Sequence, residues 1–189
     1  MNDLLNRKIV DYLGHTPDFD DVIFYVSKKN SVARYKDIIF KFFCWGDYRK
    51  EKEIYETCLK QNISTPEMLF ISKDFMVLRY IEEKKISFDE KVELVLDWLI
   101  SFHEKTGYSK GDQRLHNYLF DGKKILGIDF EESFKGDFDK DYASLFTTLC
   151  GKIEKSQVER LFISKKINID SRLFIKTYSE EIEKRKKYV

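Results

Sequence analysis

The sequence predicts an α+β protein of minimal size in two lobes, a β-rich N-terminal lobe over residues 1–81 and a mainly helical C-terminal lobe over 82–189. Three observations carry that expectation. Segments rich in β-branched and aromatic residues crowd the first part of the chain, a long amphipathic stripe begins at Asp89, and the pattern after Asp139 is helical. A length of 189 residues suits one domain, or two small lobes sharing an interface.

Taken in order, residues 22–26 and 37–43 are strands by residue type, with residues 31–35 as another between them. From Asp47 to Gln61 the pattern turns helical, and Thr65-Pro66 closes the segment. Residues 68–71 and 75–81 read as two further strands, which places a hinge near residues 80–83. Residues 89–103 form the most regular helix, with Val92, Val95, Leu96, Leu99, Phe102 and His103 on one stripe. Residues 118–126 form a β-hairpin turning at Asp121-Gly122. If its turn is residues 121–124, Phe120 pairs with Ile125 and Asn117 falls opposite Ile128. From Asp139 onward the chain is helical, with one break near residues 168–170.

Bulk charge removes several function classes. Lys and Arg number 34 against 33 Asp and Glu, for a net charge of +1, so no global field recruits nucleic acid or an anionic membrane. Residues 1–8 lack the apolar core of a signal peptide. The longest apolar stretches, residues 38–45 and 92–102, are interrupted by Lys41, Glu93 and Asp97. The three cysteines, Cys44, Cys58 and Cys150, lack metal-ligand spacing and read as reduced thiols in a cytoplasmic protein.

Two places carry charge where the pattern is apolar. Lys41 is the only charge in residues 38–43, and alternation sets it on one face with Ile39 and Phe43. Either its stem reaches water at a sheet edge, or it has a buried partner. The following helix offers one. With Ile54, Tyr55, Cys58 and Leu59 as its apolar stripe, Glu51 lies on the buried face. Such a pair adds little net stability, so an orienting role is a reason for it, and an ammonium so held can reach phosphate oxygens. The second place is the hairpin's open end. There Asn117 and Asp129 stand within about one residue's rise, ~3.3 Å, of each other, with Asp112 a short loop away. Singly these residues suit turns and strand ends; together they suit Mg²⁺, which takes few protein oxygens plus water and phosphate.

The order Lys110-Gly111-Asp112, Asn117, hairpin, Ile128-Asp129-Phe130-Glu131 resembles the protein-kinase-like superfamily, and most closely its compact branches. Those include aminoglycoside and choline phosphotransferases, RIO kinases and small atypical kinases. Glu51, followed by Ile63-Ser64-Thr65-Pro66, resembles the helix that carries the ion-pair Glu there and the segment after it. Phe102-His103 and Asp139-Lys140-Asp141-Tyr142-Ala143 resemble two further landmarks, the end of the long helix and the start of the next. The resemblance covers roughly residues 20–150 and implies a two-lobed protein-kinase-like fold with ATP and Mg²⁺ as cofactors. It implies that Asp112 accepts or orients the proton of a substrate hydroxyl and that Asn117 and Asp129 hold Mg²⁺. It further implies that Lys41, oriented by Glu51, grips the α- and β-phosphates, that Arg114 steadies the γ-phosphate, and that backbone groups near Arg79, Tyr80 and Ile81 meet adenine.

The chain departs from that pattern in four ways. No glycine-rich loop is present; residues 27–31, with Lys28 and Lys29, stand between candidate strands, or residues 14–20 if a first strand starts near Lys8. Lys110 stands where most relatives have His. Glu131 replaces the Gly of protein kinases, which favours the small-molecule branch. No Ala-Pro-Glu segment follows Asp129. His103 reads as a core histidine bonded to backbone, and the basic residues 184–187 as a solvated helix end. The expectation is an ATP- and Mg²⁺-dependent phosphotransferase acting on an unidentified hydroxyl-bearing small molecule or protein, with no membrane partner. The alternatives are a catalytically dead nucleotide-binding scaffold and an RNA-associated atypical kinase using the basic tail.

Overall fold

A computed structural model describes residues 2–25, 30–43, 48–168 and 170–186. The 26–29 turn with Lys28 and Lys29, Cys44, Asp47, and the basic side chains at 184–187 lie outside the described residues.

The chain opens with a helix where a β-rich segment was expected. Helix α1 spans Asn2–Leu13 and ends at Gly14, which takes the left-handed conformation (φ 72°). Leu5, Ile9, Tyr12 and Leu13 recur at helical spacing, and that stripe excludes a strand starting near Lys8. Five strands follow: β1 (Val22–Tyr25), β2 (Ser31–Tyr35), β3 (Ile38–Phe42), β4 (Met68–Ile71) and β5 (Phe75–Arg79). They form one antiparallel sheet in the order β1-β2-β3-β5-β4, with Lys41 facing Val32 on one side and Met76 on the other. α1 covers one face, where Leu5 and Ile9 pack with Phe40, Phe42, Phe75 and Val77, and Lys8 pairs with Asp74 at 2.7 Å.

Helix α2 (Tyr48–Lys60) serves the other face. It buries Glu51, Ile54, Tyr55 and Cys58, whereas Leu59, expected on its apolar stripe, is 77% exposed. One residue beyond Cys58 is a further ~100° around the helix, which carries Leu59 off the buried face.

The remaining elements are helical apart from short pairings. Helix α3 (Phe88–Thr106) starts at Ser87, whose hydroxyl accepts from Glu90 N–H, and ends at left-handed Gly107. It buries the whole expected stripe and Trp98 as well. β6 (Tyr108–Ser109) pairs with β9 (Phe134–Lys135), and β7 (Tyr118–Phe120) pairs with β8 (Ile125–Gly127) in the expected register, Phe120 opposite Ile125. Three helices close the chain: α4 (Phe138–Cys150), α5 (Lys155–Ser164) and α6 (Ser171–Lys186). Among the described residues the helical half is interrupted at 151–154 as well as after α5; the first interruption, within a stretch expected to be continuous helix, begins at Gly151, which caps α4. Among the described residues no helix is long and apolar enough to cross a membrane. Cys58 and Cys150 are free thiols.

One contact ties the segment after α2 to the rest. The Ser64 carbonyl accepts from Trp98 Nε1 (2.8 Å) and from Gly127 N–H (3.1 Å). A Cβ on Gly127 would stand 2.3 Å from Trp98 Cζ2. Because the indole is held by Ser64, it has little freedom to retreat. Gly127→Ala is expected to destabilise the fold by about 2–3 kcal/mol, at the upper end for overpacking. Urea unfolding would read this, and an unchanged midpoint would show that the ring moves aside freely.

Candidate active site

Lys41 sits on a central strand, where alternation turns it with Ile39 toward a cleft. At 8% exposure it has no route to open water at a sheet edge. Its Nζ lies 2.9 Å from both carboxylate oxygens of Glu51, itself 1% exposed, and 2.8 Å from Asp129 Oδ1. Glu131 Oε2 is 3.9 Å away, and also accepts from Asn30 Nδ2 at 2.7 Å. Burial alone lowers a lysine's pKa, but Glu51 and Asp129 outweigh it, so Lys41 titrates above the usual lysine range.

The hairpin delivers an amide and a carboxylate. Ile128 N–H donates to the Asn117 carbonyl at 3.0 Å, which fixes Asn117 beside the residue preceding Asp129. Asp129 then takes a left-handed backbone conformation (φ 61°), which Asp tolerates better than most residues. That turn sends the Phe130 ring into the core, edge-on to Tyr55 at 5.0 Å, while the Asp129 carboxylate goes to Lys41. Asn117 is 3% exposed, and its Nδ2 has no partner among the described residues. Among those residues no cluster of three or more His, Cys, Asp or Glu forms a ready cation cage. A carboxamide left unpinned beside one carboxylate fits Mg²⁺, which takes one or two protein oxygens and completes its shell with water and phosphate.

Asp112 lies on the loop between β6 and β7. Arg114 grips its carboxylate from Nε, 2.8 Å from each oxygen, and from Nη2. Burial alone would raise the pKa of Asp112; the guanidinium outweighs it and holds the carboxyl below the usual range. The guanidinium-bearing side chain is 60% exposed and that of Asp112 only 12%.

Asp141, at the start of α4, fixes this loop from beneath. It is 1% exposed and accepts from Lys110 N–H (2.5 Å), Gly111 N–H (2.9 Å) and His103 Nε2 (2.8 Å). His103 is thus a core histidine whose partner is a carboxylate, where a backbone partner had been expected. Gly111 is required by space: its φ is 88°, and a Cβ there would meet the Glu132 carbonyl oxygen at 2.3 Å. Lys110 is fully buried, and burial brings its pKa down to about 8 despite the carboxylates around it.

All eight residues singled out from the sequence line one cleft of about 1090 Å³. Ile39, Leu78, Leu119 and Ile128 make part of its wall apolar, and Tyr80 and Ile81 border it. Tyr80 N–H is committed to the Asp37 carbonyl at 2.7 Å, and the Arg34 guanidinium stacks 3.6 Å from the Tyr80 ring centroid. Of the eight, Lys41, Glu51 and Asp129 touch directly, as do Asp112 and Arg114. Sequence reasoning gave no site role to Asn30, Asp141 or Lys110. The signal for Asp141 was its place in a motif, and for Lys110 a charge standing where the resembled superfamily carries His; Asn30 left none.

No protein-family model matches the chain, and no curated protein matches it in sequence. Solved structures do match in shape. A choline/ethanolamine kinase family protein from Mesorhizobium loti superposes with a TM-score of 0.65 at 16% identity, covering 95% of this chain and 76% of that one. The streptomycin–ATP–APH(2'')-IIa ternary complex gives 0.64 at 13% identity, covering 93% and 89%. Amicoumacin kinase hAmiN, in complex with AMP-PNP, Ca²⁺ and Ami, gives 0.60 at 12% identity, covering 87% and 78%. The chain has the protein-kinase-like fold in its compact form, α+β with an antiparallel five-stranded sheet and a helical region.

Proposed function

We propose that this protein is an ATP- and Mg²⁺-dependent phosphotransferase that moves the γ-phosphoryl group onto a hydroxyl of a small molecule or protein. The observation that carries the reading is the convergence in one cleft of a buried Lys41–Glu51 pair, a carboxylate on that same ammonium, and an amide and a second carboxylate beside them. Phosphoryl transfer asks a protein for little beyond positioning and charge neutralisation.

In this reading the acceptor oxygen bonds to the γ-phosphorus, the bond to the β–γ bridging oxygen breaks, and ADP leaves. Asp112 takes the hydroxyl proton once Arg114 turns from it to the γ-phosphate. Lys41, held by Glu51, meets the α- and β-phosphates. Asn117 and Asp129 would hold Mg²⁺, which neutralises charge on the phosphates when bound. With the Tyr80 N–H already engaged, its carbonyl and the Ile81 backbone are the groups left there for adenine. The lobe division at residues 81 and 82, and a cytoplasmic setting where ATP is plentiful, belong to the same proposal. The nucleotide and divalent cation bound in the amicoumacin kinase complex, and the ATP in the streptomycin complex, support it by analogy of fold.

Transfer from γ-labelled ATP to a panel of hydroxyl acceptors tests the reading. Turnover with Mg²⁺, abolished by chelation, is expected. ATP that binds but is neither transferred nor hydrolysed would replace this reading with that of a kinase-shaped nucleotide-binding protein.

A further inference from the structure

Lys110 has an environment that stability does not explain. Its side chain is among the largest fully buried ones, and it forms no ion pair with a carboxylate among the described residues. Its Nζ donates instead to two backbone carbonyls, Asp112 O at 2.9 Å and Asp129 O at 3.3 Å. The rest of the ammonium's surroundings include the faces of Tyr118, 5.2 Å to the ring centroid, and Phe130, 5.7 Å. The residue's own backbone is pinned as well, N–H to Asp141 and carbonyl to the Ser133 hydroxyl at 3.1 Å. Burying an ammonium with no carboxylate in direct contact costs several kcal/mol; a methionine of similar length would fill the space without that charge but would leave both carbonyls without this donor. What the ammonium adds beyond filling space is its donors.

What they join is specific. The two carbonyls belong to residues 17 positions apart in sequence, one on the loop between β6 and β7 and the other after β8. A neutral imidazole at this position has one N–H to give; an ammonium has three and bridges both carbonyls at once.

We propose that Lys110 is a positioning residue that ties the backbone of Asp112 to the backbone of Asp129, setting the distance between the proton acceptor and the metal-holding carboxylate. The inference rests on the phosphotransferase reading for its catalytic consequence, but its geometric claim stands apart from turnover. Losing the tie shifts two groups whose relative placement decides the rate, and a displacement of about 1 Å costs on the order of 100-fold. It leaves the ATP contacts of Lys41 in place, so the larger loss falls on kcat and a smaller one, through the cation, on KM for MgATP.

Lys110→Met and Lys110→His are the variants to make. For Lys110→Met the thermal midpoint is expected to move little, because relief of the buried charge opposes the loss of a donor to two carbonyls, while kcat falls on the order of 100-fold and KM for MgATP rises by no more than about tenfold. Lys110→His, which restores one donor, is expected to recover part of kcat. The readout independent of turnover is Mn²⁺ binding to the protein–ATP complex, followed by electron paramagnetic resonance, which should weaken about tenfold in Lys110→Met as Asp129 shifts. If the wild type transfers nothing, the phosphotransferase reading fails while Mn²⁺ binding still decides this one. If Lys110→Met does not fold, the Mn²⁺ comparison is made on Lys110→His. Mn²⁺ affinity equal to wild type in every folded variant overturns the proposal. So does a fall in thermal midpoint with kcat and Mn²⁺ affinity unchanged, which would make Lys110 a packing residue only.

Discussion

Asp112→Asn is expected to lower phosphotransfer by about a thousandfold while ATP still binds. General bases typically contribute between 10² and 10⁴ in rate, and Asn keeps the shape of the side chain while removing its capacity to take a proton. The substitution also preserves most of what Asp112 does structurally. Its carbonyl still receives Lys110 Nζ, and an amide oxygen can still accept from Arg114 N–H, now 3.3 Å from Oδ1. What is lost is the ion pair with Arg114, whose side chain is 60% exposed, so stability should change by less than about 1 kcal/mol. Single-turnover transfer measured beside ATP affinity separates the two effects. A variant that retains rate within tenfold would remove Asp112 from the proton step; one that loses ATP affinity in proportion to rate would make it a binding residue.

Lys41→Met is expected to cost both stability and activity, for separable reasons. Removing the ammonium leaves Glu51, 1% exposed, without its cation and facing Asp129 and Glu131. Breaking one side of a buried pair typically costs about 3–5 kcal/mol, because the remaining charge stays desolvated. Removing both partners together avoids that penalty. The double variant Lys41→Met with Glu51→Gln should therefore be more stable than Lys41→Met alone, within about 2 kcal/mol of wild type, and still fail to transfer phosphate. Urea unfolding of both single variants and the double closes the cycle. Additive losses would mean that the two side chains are energetically independent despite their contact.

The parts of this molecule that were readable from sequence share a physical trait: their signal is local. The Asp121-Gly122 turn fixes the hairpin register over a few residues, so Asn117 lands opposite Ile128 as the count predicts. Lys41 stands out because six consecutive residues are otherwise apolar. Glu51 follows from helical spacing against Ile54, Tyr55 and Cys58. The parts that escaped are set by contacts between distant positions. Asp141 reaches back 30 residues to Gly111 and 38 to His103, and Asn30 meets Glu131 across 101. Nothing near Asp141 in sequence marks it as a partner for backbone amides. The charge on Lys110 was visible, but its burial between two carbonyls depends on how the loop and the hairpin come together. α1 escaped for a different reason: its Leu5, Ile9 and Tyr12 stripe was legible, but it lay at the edge of a segment dominated by strand signals.

That first helix also bears on how the chain is made. α1 leaves the ribosome before β1 to β5 do, yet its apolar face belongs against Phe40, Phe42, Phe75 and Val77, and Lys8 finds Asp74 only 66 residues later. At about 5–20 residues per second, that gap is roughly 3–13 s of synthesis with Leu5 and Ile9 unsheltered. A helix made ahead of the sheet it covers is thus among the last of its half to dock, and a nascent chain halted before β5 carries an uncovered apolar stripe for a chaperone to hold.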